Sequence, residues 1–228
     1  MSTELIAERP LQSATWKSQS TTSGRRRTRP VYDAVKRAID LTICLCLMPI
    51  VLPVIGICAL AIWIEDPGPV FFIQPRTGRF GRRFRMYKLR TMVKNAEELK
   101  QSLLHLNELT LPDFKITNDP RVMRIGKFLR KTSLAELPQI FNVLRGDMSL
   151  VGPRPTSFAA NTYSLWHTER LEVLPGITGL WQVSGRSDVD FDDRLRLDIA
   201  YIRNRSIWFD IKLLVQTVVS VIQRKAAC

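Results

Sequence analysis

The chemically suggestive residues are one carboxylate and the cations spaced around it. Glu136 sits in Ser133-Leu134-Ala135-Glu136-Leu137-Pro138, after a run that carries Arg121, Arg124, Lys127, Arg130 and Lys131 at helical spacing. Arg154 follows in the stiff segment Gly152-Pro153-Arg154-Pro155. The spacing predicts a second helix beginning near Ala135 and running to about Leu144, with Pro138 in its first turn, where a missing amide hydrogen does no harm. Such a helix start offers free N–H groups and the positive end of a dipole. Arg130 and Lys131 would enter that point from one side and Arg154 from the other. Carboxylate, cations and helix end together suit a divalent metal, with Glu136 as its protein ligand, bound to phosphate oxygens. Arg130 and Arg154 would hold those oxygens in bidentate fashion. The same residues also fit a plain capping box, Ser133 with Glu136, surrounded by solvated arginines.

Several elements must position these groups. Asn118-Asp119-Pro120 reads as a turn that opens the basic helix, because the residue before a proline is pushed out of the helical region. Val70–Gln74 and Arg83–Tyr87 read as two strands around the glycine-containing loop 76–81. The second strand alternates Arg83, Phe84, Arg85, Met86, giving one basic and one apolar face. Lys88-Leu89-Arg90-Thr91-Met92 continues from it. Asn95–Glu108 reads as an amphipathic surface helix. Residues 157–174, with Tyr163, Trp166 and His167, read as a helix whose aromatic residues pack or face an interface. Pro175-Gly176-Ile177-Thr178-Gly179 fixes a tight backbone. A helix with alternating charges is expected from Asp188 to Arg203.

Leu41 to Ile64 is 24 residues without a charge. As a straight helix it would be about 36 Å long, enough for a hydrocarbon core of about 30 Å. Pro49 and Pro53 interrupt it, and its flanks are basic on both sides, so charge asymmetry selects no orientation. A kinked span and a helix that enters and leaves on one face both fit. Trp208–Gln223 is a further apolar stretch, read as an interfacial helix or a core helix under the anchor. Residues 1–30 are polar, end in an arginine cluster, and read as a disordered basic tail.

The 228 residues carry 34 Lys and Arg against 21 Asp and Glu, a formal charge of +13. That excess favours a polyanionic partner: nucleic acid, anionic lipid or phosphate-rich small molecules. A nucleic-acid binder explains the charge but not the uncharged run, so nucleic acid is not expected as a partner. Four cysteines give neither a disulfide framework nor metal-ligand spacing, and two separated histidines give no nucleophilic triad.

Residues 118–156 resemble the signature of the bacterial sugar transferases, the monotopic phosphoglycosyl transferases. The match covers Leu134, Glu136–Gln139, Asn142–Leu144 and Gly146–Pro155. Lys88-Leu89-Arg90-Thr91-Met92, Pro175–Gly179 followed by Gln182-Val183-Ser184-Gly185-Arg186, and Asp198 with Tyr201 resemble further motifs of that family. The resemblance implies a mainly α protein with a small β-hairpin, an α+β chain held on the cytoplasmic face of the bacterial inner membrane. The anchor would be a proline-broken re-entrant helix, entered at Lys36, Arg37 and Asp40 and broken at Pro53. Its boundaries would be 31–66, and 67–228 would form the cytoplasmic catalytic domain with interfacial helices. The implied reaction moves a sugar-1-phosphate from a UDP-sugar to undecaprenyl phosphate, with Mg2+, to start an exopolysaccharide or capsule repeat unit. Lys88 and Arg90 become candidates for the diphosphate, and Arg186 for uridine or phosphate. The family's nucleophile is an aspartate where this chain has Ala135, which has no lone pair to attack with. The alternative is therefore a member, natural or engineered, that binds UDP-sugar or lipid phosphate, or acts as a scaffold, without turnover. The sequence leaves a homo-oligomer open.

Overall fold

The computed structural model describes residues 29–108, 116–157, 165–184 and 191–223. Residues 1–28 of the basic tail, Tyr163 and Arg186 lie outside them, and so do the side chains of Trp166 and His167. The chain is mainly helical. Helix α1 (Pro30–Glu65) carries Pro49 and Pro53 in its interior. The hairpin of β1 (Phe71–Thr77) and β2 (Arg83–Leu89) follows, then the short helix α2 (Ala96–Ser102). The signature region forms α3 (Arg124–Lys131), a 3-10 turn (Leu134–Glu136), α4 (Gln139–Arg145) and β3 (Ser149–Val151). A second 3-10 segment (Leu165–Glu172), β4 (Gly176–Thr178), and the helices α5 (Leu180–Val183), α6 (Phe191–Asn204) and α7 (Ile207–Ile222) complete the described chain.

The hairpin is antiparallel with Phe71 opposite Leu89 and Thr77 opposite Arg83, close to the expected strands. The expected alternation is present: Phe84 and Met86 are buried while Arg83 and Arg85 are exposed. Pleating puts Lys88 on the side of Phe84 and Met86, facing the body. Asn142, fully buried on α4, clamps the strand by donating to Arg85 O at 2.7 Å and accepting from Tyr87 N at 3.1 Å.

The two-helix expectation for the signature is corrected. Arg121 does not start the basic helix. It is buried and bonds the Asp119 carboxylate through Nη2 at 2.6 Å. Helix α3 begins at Arg124, where the Glu65 carboxylate accepts the free amides of Arg124 (2.7 Å) and Ile125 (2.8 Å). It ends through Ser133, whose φ of 60° is the left-handed conformation common just past a helix C-terminus. No helix begins at Ala135. Residues 134–136 form a 3-10 turn, and α4 starts only after Pro138. The structure also contains a parallel pair, β3 with β4, that the sequence reading treated only as a tight turn.

Helix α1 is tied to the body at both ends. Near its start Arg37 donates to the last carbonyls of α4, Val143 O at 2.5 Å and Leu144 O at 2.9 Å. Buried Asp40 accepts from Ser149 Oγ at 2.7 Å, and Lys36 bonds Asp210 of α7 at 2.9 Å. At its end, Glu65 caps α3 and Asp66 meets Arg90. Between these ties a stripe of Cys44, Val51, Ile55, Cys58 and Ile62 is buried, while Leu45, Ile50, Ile57, Leu60 and Trp63 are exposed. By length and composition α1 suffices to cross a membrane. Helix α7 also leaves an apolar face exposed, with Trp208, Val215 and Val218 upon it.

Gly126 lets α3 lie against the end of the hairpin, since a Cβ there would stand 2.1 Å from Thr91 O. Gly126→Ala is expected to destabilise the fold by about 1–3 kcal/mol. Gly56→Ala, with open space around the added methyl, should be neutral or stabilising by up to ~1 kcal/mol. Thermal unfolding of both variants in detergent checks the contrast.

Candidate active site

The site is built from three elements that the backbone brings to one point. Strand β2 delivers Lys88 from its inward face. The 3-10 turn delivers Ala135 and Glu136. The loop after β3 delivers Arg154. Glu136 Oε1 accepts from Lys88 Nζ at 3.1 Å and from Arg154 Nη2 at 2.6 Å, and Oε2 lies 3.4 Å from Arg154 Nη1. The arginine thus presents its fork to the carboxylate. Ala135 is buried beside it, 7% exposed, while the Glu136 side chain retains 24% exposure.

The capping-box reading is overturned. Ser133 makes no side-chain cap, and Glu136 is engaged by two cations from distant parts of the chain. Charge sets the state of each group. Burial raises the pKa of the Glu136 carboxyl, but Arg154 and Lys88 outweigh it and hold the group down at about 2. Burial pushes the Lys88 ammonium down to about 8, against the pull of Glu136. The nearby charge of Arg154 pushes Lys88 the same way. Glu136 is therefore a carboxylate at neutral pH, and Lys88 changes charge within reach of it.

The other candidates lie elsewhere in the described structure. Arg90 is buried against the end of α1, donating to Asp66 O and pairing with the Asp66 carboxylate at 3.3 Å. This hydrogen bond and ion pair tie the end of the hairpin to the end of α1. Arg130 donates to Thr91 Oγ1 at 3.0 Å, and Lys131 is exposed. Neither hydrogen-bonds Glu136. Arg186 lies outside the described residues.

Sequence reading missed the groups that hold the Arg154 loop. Pro153 and Pro155 have no N–H, so the loop is fixed through its carbonyls. Gly176 N bonds Pro153 O at 2.9 Å, Arg170 Nη2 bonds Arg154 O at 2.6 Å, and Thr77 N bonds Thr156 O at 3.0 Å. Arg76 Nη1 approaches Pro155 O at 3.4 Å. The signal in the sequence was the proline pair itself, which removes two of the loop's backbone donors and leaves their carbonyls to be held by others.

Two cations around one carboxylate are suited to oxyanions. Lys88 and Arg154 can each exchange Glu136 oxygen for phosphate oxygen. A magnesium ion usually takes one or two protein carboxylates and completes its shell with substrate phosphates and water. Glu136 fits such a one-carboxylate role. Among the described residues no group of three or more His, Cys, Asp and Glu could hold a metal by itself.

Two cations and one carboxylate thus meet at the signature turn, in a chain with one helix long and apolar enough to cross a membrane. The bacterial sugar transferase profile matches residues 31–224, and the chain belongs to that family. It is 52% identical over 155 residues to a galactosyl transferase, CpsE, of Streptococcus agalactiae, covering 67% of this chain and 34% of that one. It is 42% identical over 201 residues to an undecaprenyl-phosphate galactose phosphotransferase of Salmonella typhimurium, covering 85% of this chain and 41% of that one. It is 34% identical to the exopolysaccharide production protein ExoY of Rhizobium meliloti, covering 85% of this chain and 88% of that one. The chain thus spans well under half of the first two relatives.

The Lys88 charge gives the site a pH signature. Binding of UDP is expected to weaken as pH rises through about 8, because the protonated form is the one that attracts phosphate. Lys88→Arg should flatten that fall, since a guanidinium stays charged. Calorimetric titration across about pH 7–10 at fixed ionic strength checks both.

Proposed function

We propose that the chain is the catalytic body of a phosphoglycosyl transferase acting between a UDP-sugar and undecaprenyl phosphate at the cytoplasmic face of the bacterial inner membrane. The product would begin an exopolysaccharide or capsule repeat unit. The observation that carries this reading is the meeting of Lys88, Glu136 and Arg154 at the family's signature turn. The names of the Salmonella and Rhizobium relatives support the acceptor and the pathway class.

In this reading Lys88 and Arg154 hold the diphosphate, orient its sugar-bearing phosphorus and draw charge from its oxygens. Glu136 would hold a magnesium ion, which when bound neutralises part of the diphosphate charge. The family reaction needs a carboxylate at position 135. One of its oxygens forms a bond to the β-phosphorus, the bond to UMP breaks, and UMP departs with the electron pair. A lipid phosphate oxygen then attacks the same phosphorus and frees the carboxylate. Ala135 can do none of this, and that residue favours a second reading in which the chain binds donor or acceptor without turnover.

Transfer of labelled sugar-1-phosphate from a panel of UDP-sugars to undecaprenyl phosphate separates the readings. The Ala135→Asp chain is expected to turn over, and the chain as it stands to be slower by at least ~10^3-fold. Activity in both would assign the attack to another group, Glu136 first. Silence in both, with UDP bound, would support the binding role.

The ties at both ends of α1 to one body support a helix that enters and leaves on the same side. A spanning helix would carry one of those ends across the bilayer. Cysteines placed at exposed Val31 and Lys94, with the four native cysteines replaced by serine, report the two flanks. Both are expected to resist an impermeant maleimide in intact spheroplasts and to react after lysis. Labelling of either from outside would exclude the re-entrant arrangement.

A further inference from the structure

The loop that carries Arg154 is held by a buried ion pair that the reaction scheme does not use. Arg170 Nη2 donates to Arg154 O at 2.6 Å and to Asp198 Oδ2 at 2.7 Å. The Arg170 and Asp198 side chains are 5% and 2% exposed. Arg170 comes from the 3-10 segment and Asp198 from α6, so one element supplies the donor to this carbonyl and a second element fixes that donor. We propose that Arg170, fixed by Asp198, is a positioning residue that sets where the Arg154 guanidinium stands in the phosphate site. The inference rests on the reading of Arg154 as a phosphate ligand.

Three observations favour positioning over bulk stability. A buried ion pair adds little net stability, because two charges must leave water. Here that cost is visible: burial pushes the Asp198 carboxyl up to about 6 despite the Arg170 charge, and its Oδ1 accepts no hydrogen bond. Second, the pair is close to neutral as a unit, so it adds little attraction for phosphate. What it delivers is direction. Third, the contact falls on the carbonyl of Arg154 itself, between two prolines that fix φ and remove donors. A shift of that carbonyl is passed to the guanidinium with few backbone torsions to absorb it.

The experiment is a double-mutant cycle read as UDP affinity of the full chain in detergent, with thermal melts as a check on folding. Arg154→Ala is expected to weaken UDP binding by about 10–100-fold. Arg170→Met and Asp198→Asn should each weaken it by about 5–30-fold when Arg154 is present, and by less than about twofold when Arg154 is alanine. Equal losses in both backgrounds, or no loss with Arg154 present, would overturn the inference and leave Arg154 as a phosphate ligand. No loss on Arg154→Ala would instead remove the reading on which the inference stands, and the inference with it. If Arg170→Met does not fold, the near-isosteric Asp198→Asn decides. Failure of both to fold assigns the pair to stability and refutes the positioning role.

Discussion

The fold depends on how helix ends are satisfied around an apolar helix. The first and last turns of any helix leave backbone groups without partners. Helix α1 supplies partners for its neighbours at both of its own ends. Arg37 takes the last carbonyls of α4, and the Glu65 carboxylate takes the first amides of α3. These are the two helices that flank the signature turn. Arginine at a helix C-terminus and a carboxylate at an N-terminus also agree with the helix dipole. Helix α1 and the signature region are therefore parts of one hydrogen-bonded frame, and neither helix end could move far without losing its cap.

Within that frame the site is a matter of charge balance. Lys88 and Arg154 come from a strand and a proline-stiffened loop, and Glu136 lies between them. A carboxylate that pairs two cations keeps them at a common point. The side chain next to Glu136 is a methyl group. Under the proposed reaction the cations that would hold a phosphoryl group are in place while the attacking oxygen is not, so Ala135 is the position that the transfer assay probes.

The hairpin was legible in the sequence because alternation is a strong pattern: Arg83, Phe84, Arg85 and Met86 expose and bury in turn. The inward face of Lys88 follows from the same period. Helical spacing in the basic run was also readable, but its start was not. Arg121 has the right spacing for α3, yet it is used by Asp119, and the Glu65 cap lies 59 positions away in sequence. The second helix was placed too early because Pro138 tolerates either a first turn or a cap. The left-handed Ser133, which forces the choice, has no residue-type signal. Arg90 and Lys88 share one basic motif, and only the position of Asp66 separates their roles. The pair β3–β4 is two strands of three residues each, too short for periodicity to report.

The tie between Lys36 and Asp210 joins positions 174 residues apart, and Tyr32 bonds the same carboxylate at 2.7 Å. This has a consequence for biosynthesis. A ribosome delivers the apolar helix first and α7 long afterwards. Until α7 arrives, a lysine and a tyrosine near the start of the apolar helix lack their carboxylate. Synthesis of the apolar helix and completion of the fold are thus separated in time, and the closing contact forms late. Such a nascent chain spends its synthesis with the polar start of its apolar helix incompletely partnered, the stage at which chaperones and proteases choose between maturation and disposal.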